Sequence, residues 1–272
     1  MSIEERAAAF QALHEGPGIF VMPNPWDAGT ARVLAGLGFE ALATTSQGMA
    51  NSLGTLDGEV RRKVALRHSR EIVDATPLPV NGDLENGFGD DPDTVAKTIS
   101  KAAKVGLVGC SIEDASKNPD EPIYPLDLAA ERIKAAAKAA GKLSFPFVLT
   151  ARAENYLYGR ADLPDTIARL KAFEEAGADV LYAPGLREIE DIRKVCESLS
   201  KPVNVLALKG GPSVAELGEA GVRRVSLGSN LHRVAMGAFL RGAHELKDTG
   251  TLAFLDGAAT TKELEPFLSS PD

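Results

Sequence analysis

Short apolar runs recur along the chain, and each is followed by a stretch with helical period. The runs at 18–22, 41–44, 79–83, 106–112, 146–150, 180–183, 202–206 and 222–227 predict eight strands. The stretches at 27–37, 59–75, 92–104, 126–140, 163–176, 187–199, 213–220 and 231–246 predict the helices between and after them. Strictly alternating βα units require a parallel sheet, because each helical crossover returns the chain to the same direction. Eight units in about 250 residues match a (β/α)8 TIM barrel. Punctuation agrees with this reading. AGLGF (35–39), KVGLVG (104–109), EAGAD (175–179) and EAGVR (219–223) each place Gly between a helix end and a strand. Asp91-Pro92 and Leu163-Pro164 open helices, with Pro where its missing N–H costs little. An open doubly wound sheet is the alternative. It carries a Gly-rich phosphate turn after its first strand, whereas this chain has PNPWDAGT there.

Residues 1–272 read as one domain with a C-terminal helical tail from about 247 to 272, including an amphipathic piece at 261–268. That piece must pack on its own barrel or on a neighbour's. The N-terminal MSIEERAAAFQALHEG reads as an amphipathic helix and not as a secretory signal. Lys+Arg is 30 against Asp+Glu 38, a formal net charge of −8. This acidic balance argues against a general nucleic-acid partner but not against a small anionic substrate. Two cysteines, Cys110 and Cys196, exclude a disulfide scaffold and a multi-cysteine zinc site. No apolar run approaches the roughly 20 residues of a membrane span. A cytoplasmic enzyme is the expectation.

A barrel carries its chemistry at the C-terminal ends of its strands. Strand two is followed by TTSQGMANSLGTLDGE with Asp57, and strand three ends in NGDLENGFGDD with Asp83 and Glu85. Strand four ends in SIEDASKNPDEP with Glu113 and Asp114, and strand five in TARAENYLYG with Arg152 and Glu154. Strand seven holds Asn204. Asp57, Asp83, Glu85 and Glu113 converge at one mouth, where like charges are costly unless a cation neutralises them. All-oxygen donors without His or Cys favour Mg2+ or Mn2+ over zinc, with one direct carboxylate and others behind waters. Such acids also serve as helix caps or solvated loop charges, and Asp57 is placed to cap the second helix. Arg152 reads as a fork for a substrate carboxylate or phosphonate, or as a buried salt-bridge partner. Ser46-Gln47-Gly48 can offer backbone N–H groups to an anionic oxygen.

Asp83-Leu-Glu85-Asn-Gly87-Phe88-Gly89 resembles the D-x-D-T-G-[FY]-G motif of the isocitrate lyase/phosphoenolpyruvate mutase superfamily. PNPWDAGTARVLAGLGFEALATTS resembles its first two strands, GCSIED its strand-four IED, and TAR at 150–152 the AR before its lid-side loop. PVNVLA (202–207) and RRVSLGSNLHRVAMGA (223–238) resemble its last two strands, so the likeness covers about residues 15–245. It implies a Mg2+-dependent barrel, a homodimer or homotetramer with the eighth helix swapped between subunits. It also implies chemistry on a 2-oxo acid or its enolate. By position it makes Asp83 the direct metal ligand and Glu85 and Glu113 water-mediated ones. Arg152 becomes the substrate-carboxylate contact. Ser46, Gln47 and Gly48 form the anion-binding turn, and Asp57 is the carboxylate of the mobile segment.

Two departures stand out. Glu85-Asn86 replaces Asp-Thr. The lyase lid K-[KR]-C-G-H is replaced by DASKNPDEPIYP, without Cys or His, although Lys117-Asn118 loosely matches the mutase lid. Cys110 falls inside strand four and Cys196 in a helix, both read as buried. His14, His68, His232 and His244 fall in helices. The expectation is a Mg-dependent lyase that cleaves a C–C bond in an oxaloacetate-like 2-oxo or 2-hydroxy dicarboxylate. A phosphonate enzyme, either phosphoenolpyruvate mutase or phosphonopyruvate hydrolase, and a non-catalytic metal–carboxylate binding barrel are the alternatives.

Overall fold

A computed structural model of the chain describes residues 1–269. The strands are β1 (Phe20–Met22), β2 (Leu42–Ala43), β3 (Val80–Asp83), β4 (Gly109–Glu113), β5 (Val148–Arg152), β6 (Val180–Tyr182), β7 (Val203–Leu206) and β8 (Arg224–Ser226). They form one parallel sheet in the order β1-β8-β7-β6-β5-β4-β3-β2. The remaining seam is bridged where the Ala43 N–H donates to the Pro23 carbonyl at 3.0 Å. The result is the expected TIM barrel.

The helices are α1 (Ile3–Glu15), α2 (Ala28–Gly36), α3 (Ser46–Ser52), α4 (Arg62–Ala75), α5 (Pro92–Lys104), α6 (Leu126–Ala140), α7 (Leu163–Glu175), α8 (Ile189–Ser198), α9 (Val214–Glu219), α10 (Asn230–Thr249) and α11 (Thr261–Leu268). Asp91 and Asp162 cap α5 and α7, each accepting a backbone N–H with its carboxylate. Gly38, Gly106, Gly177 and Gly221 all take positive φ, as the repeated helix-to-strand turn requires.

All strands but β6 start later than their apolar runs, where the chain is still leaving the turn. At their ends β4 and β5 run further than predicted and carry Glu113 and Arg152 as their last residues. Paired backbone therefore fixes both side chains at the barrel mouth. The segment after β2 is helical, not a bare turn. Thr45 caps α3 by accepting the Gly48 N–H at 3.3 Å. α4 starts at Arg62 with Arg61 as its cap residue, so Asp57 caps no helix.

α1 closes the N-terminal end of the barrel. Ala7 and Phe10 pack with Phe20, Ala41, Val108, Val148 and Val180. Above this plug, Arg224 is fully buried and donates to Asn204 Oδ1 at 2.8 Å and Thr150 Oγ1 at 2.9 Å. Its Nη1 lies 3.1 Å from His14 Nε2, while His14 Nδ1 lies 2.7 Å from the Phe10 carbonyl. These contacts assign a neutral ring with the proton on Nδ1. Burial, then the Arg224 charge, pushes the His14 pKa down to about 3 from 6.5. Because the folded value is lowered, the unfolded chain binds the proton first as pH falls. Stability is thus lost between about pH 6.5 and 3. From pH 7.5 to 5.0 the loss from this residue is about 2 kcal/mol. Urea unfolding of the protein and of His14→Gln at both pH values measures it, and the variant is expected to be less acid-sensitive by that amount.

The last two helices behave differently. α11 returns to its own barrel: the Phe267 ring lies against Gly36 of α2, and Arg32 donates to the Leu268 carbonyl at 3.1 Å. α10 instead leaves Val234, Phe239 and Leu240 exposed. No described helix is long and apolar enough to cross a membrane.

Candidate active site

The C-terminal strand ends surround a cavity of about 700 Å3. Ser46, Gln47, Asp57, Asp83, Glu85, Glu113 and Arg152 all line it, so seven of the sequence-derived site residues meet there. Gly48 and Asn204 do not. Gly48 is packed against Thr45 and Trp26, where a side chain would clash, and its N–H is spent on Thr45. Asn204 lies deeper, donating to Ser226 Oγ at 2.9 Å and accepting from Arg224.

Arg152 is the centre of the arrangement. Its Nη1 is 3.2 Å from Asp83 Oδ1 and 3.3 Å from Glu113 Oε2, and its Nε donates to Glu154 Oε1 at 2.8 Å. Its guanidinium lies 5.3 Å from the Tyr182 ring centre. Sheet register explains the meeting, because Glu113 pairs with Arg152 and Arg152 with Tyr182 in successive strands. Burial opposes the charge on Arg152, but Glu154, Glu113 and Asp83 outweigh it and hold the group charged. Burial pushes the Glu113 carboxyl well above its usual range, only partly offset by Arg152, and Glu154 is raised for the same reason. Asp57 is also raised, by burial and then by the charge of Asp83. Asp83 Oδ2 accepts the Ser46 N–H at 3.0 Å, so the α3 N-terminus already holds a carboxylate.

The motif loop after β3 is strained. Glu85 and Phe88 take φ of 49° and 64° beside Gly87 at 78°. A buried residue of α6 holds this shape. Arg132 donates to the carbonyls of Gly89 and Asp90 at 2.6 Å each and to that of Asn86, and it stacks 4.2 Å over the Tyr124 ring. The Tyr124 hydroxyl in turn donates to Asp90 Oδ1 at 2.6 Å and accepts from Asn86 Nδ2 at 3.1 Å. Glu85 is thereby turned inward. Its Oε2 pairs with Lys117 Nζ at 2.8 Å, while Oε1 is buried with no partner.

The loop 114–125 is an ordered hairpin-like cover, with Ala115 bridging Ile123. At its base the Asp114 carboxylate accepts the Glu154 N–H at 2.8 Å and pairs with Arg169 at 3.1 Å; burial pushes it up to about 6. Lys117, in the left-handed region at φ 61°, reaches Glu85 and donates to the Gly58 carbonyl at 2.7 Å. Sequence reasoning matched Lys117 only loosely to the mutase lid and gave it no contact in the site, although it stands only four residues beyond Glu113. Tyr158, Tyr182 and Ser229 also line the cavity and were not anticipated. For Tyr182 the usable signal was alignment of strand ends. Cys110 is buried in β4 and Cys196 is partly buried in α8; neither lines the cavity. All four histidines lie in helices, as expected.

The donor set suits a hard divalent cation. Six carboxylates line the cavity against two cations, Lys117 and Arg152. Every candidate donor is oxygen, and Glu85 Oε1 is an unsatisfied buried acceptor. Among the described residues no three carboxylates stand together at direct coordinating distance, since Arg152 and Lys117 stand between them. This spacing fits one direct carboxylate with the others acting through water.

A family model described as phosphoenolpyruvate phosphomutase matches residues 10–247. The chain belongs to the isocitrate lyase/phosphoenolpyruvate mutase superfamily. A crystal structure from Burkholderia cenocepacia J2315, named only as a lyase/mutase, is 53% identical with a TM-score of 0.96, covering 99% of this chain and 98% of that one. The 2-methylisocitrate lyase of Halalkalibacterium halodurans is 29% identical over 100% of this chain and 92% of its own. A structure of oxaloacetate acetylhydrolase with its product oxalate is 25% identical with a TM-score of 0.85, covering 97% and 94%.

Proposed function

We propose that this superfamily member is a divalent-metal-dependent carbon–carbon lyase acting on a small 2-oxo or 2-hydroxy dicarboxylate, with an oxaloacetate-like acid as the favoured substrate. The observation that carries this reading is the carboxylate-rich mouth around Asp83 with Arg152 at its centre. Mg2+ or Mn2+ would be held by Asp83 directly and by Glu85 and Glu113 through water. When bound, it supplies the charge that stabilises negative charge growing on the 2-oxo oxygen as the bond breaks. Among the described residues Arg152 Nη2 makes no hydrogen bond or ion pair, and it is the group left to contact a substrate carboxylate. Ser46 positions Asp83 through its backbone N–H. The raised Asp57 carboxyl can hold or accept a proton beside the reacting atoms. Gln47 accepts from Ser229 Oγ at 2.5 Å, which fixes the rim facing the substrate. The cover loop brings no Cys or His. Decarboxylation of an oxaloacetate-like acid suits that lack, since the bond breaks to CO2 and a pyruvate enolate that water can protonate at carbon without a lid acid. The exposed apolar residues of α10 support a homo-oligomer, with a solution mass above the monomer as the check.

One observation favours a phosphonate enzyme as a second reading: Lys117 enters the mouth from the cover loop. A substrate panel separates the two. Oxaloacetate, 2,3-dimethylmalate, 2-methylisocitrate and phosphonopyruvate are each incubated with Mg2+ and with a chelator, and products are read by NMR. Chelator-sensitive cleavage of one of the carbon acids is expected. Turnover of phosphonopyruvate alone would replace the first reading with the second. Mg2+-dependent oxalate binding with no turnover of any member would leave a binding barrel.

A further inference from the structure

A second cavity, of about 490 Å3, lies beside the mouth and shares Gly58, Glu59 and Lys117 with it. The Lys117 ammonium, held between Glu85 and the Gly58 carbonyl, stands at the boundary of the two spaces. The chemistry changes across that boundary. The mouth is dominated by carboxylates, whereas the side compartment is lined by Arg61, Arg62 and Lys117 against Glu59 and Asp90. Both of those acids are already engaged. Asp90 accepts from the Tyr124 hydroxyl, and Glu59 accepts the Leu56 N–H at 3.1 Å and a bond from the Thr55 hydroxyl. Arg62 is likewise held, by Thr98 Oγ1 at 3.1 Å. Arg61 is different. It is exposed, and among the described residues its guanidinium has no hydrogen bond or ion pair. It stands at the N-terminus of α4, which no side chain caps.

Resting on the reading of the mouth given above, we propose that this compartment is the subsite for the distal carboxylate of a substrate longer than four carbons, with Arg61 as its anchor and Lys117 as a movable partition. A distal carboxylate carried beyond the mouth by a longer chain leaves the carboxylate-rich space and meets an unpaired guanidinium and the uncapped start of α4 next door. The half-exposed Lys117 side chain can swing aside and join the two volumes. A four-carbon acid occupies the mouth alone. A longer di- or tricarboxylate uses both spaces.

The test is calorimetric binding with Mg2+ present, using oxalate as the two-carbon probe and tricarballylate as the six-carbon one. The proteins are wild type, Arg61→Ala and Arg61→Lys. Arg61→Ala is expected to weaken tricarballylate at least tenfold, with partial recovery in Arg61→Lys, and to leave oxalate within twofold. Equal weakening of both probes, no weakening of tricarballylate, or wild-type protein that takes up oxalate but not tricarballylate each overturns the subsite and spares the reading of the mouth. Failure of wild type to bind oxalate with Mg2+ overturns the reading of the mouth and the subsite with it.

Discussion

Replacing Asp83 by alanine is expected to lower kcat by roughly 10³ or more while leaving the protein folded. Asp83 ends β3 and is the one carboxylate that touches both the Ser46 amide and Arg152. Its removal takes away the candidate direct metal ligand and frees Arg152 to settle on Glu113 and Glu154. The fold should tolerate the change. The mouth carries an excess of negative charge, so losing one carboxylate relieves repulsion as well as breaking contacts. Steady-state turnover with saturating Mg2+, beside urea unfolding, separates the two effects. Activity retained within tenfold would remove Asp83 from the centre of the site.

Arg132→Met should produce the largest loss of stability, about 3 to 5 kcal/mol. Arg132 is 1% exposed and serves three loop carbonyls at once. Methionine fills most of the volume but leaves those carbonyls buried without donors. The loop they belong to holds Glu85 in its left-handed conformation, so metal affinity should fall as well. Arg132→Lys keeps the charge but cannot match the fork, and is expected to recover only a minor part. Urea unfolding gives the first quantity and Mn2+ titration the second. A variant as stable as wild type would show that the loop holds its shape unaided.

The barrel was legible because its elements announce themselves locally. The apolar runs, the Gly turn repeated at Gly38, Gly106, Gly177 and Gly221, and the Asp91 and Asp162 caps all act over a few residues. α3 was not legible. SQGMANS has no apolar stripe of its own and is helical because Thr45 caps it and the barrel rim supports it. Hydrophobicity also stopped β4 and β5 short of Glu113 and Arg152, since polar residues extend a strand only when neighbouring strands pair with them. The acid cluster was readable from residues following strand ends. The partners that set its geometry were not. Arg132 and Arg169 are spaced like surface residues of amphipathic helices, and only tertiary packing turns them inward. Lys117 reaches Glu85 through a loop conformation that spacing does not encode.

The central claim is that the mouth binds a divalent cation together with a 2-oxo acid. Electron paramagnetic resonance of Mn2+ titrated into the wild-type protein, with and without oxalate, tests it most directly. The account predicts one Mn2+ per chain, bound more tightly and with an altered spectrum when oxalate is present, and lost in Asp83→Ala. Mn2+ that remains free in wild type, or that binds equally well without Asp83 and ignores oxalate, would contradict it.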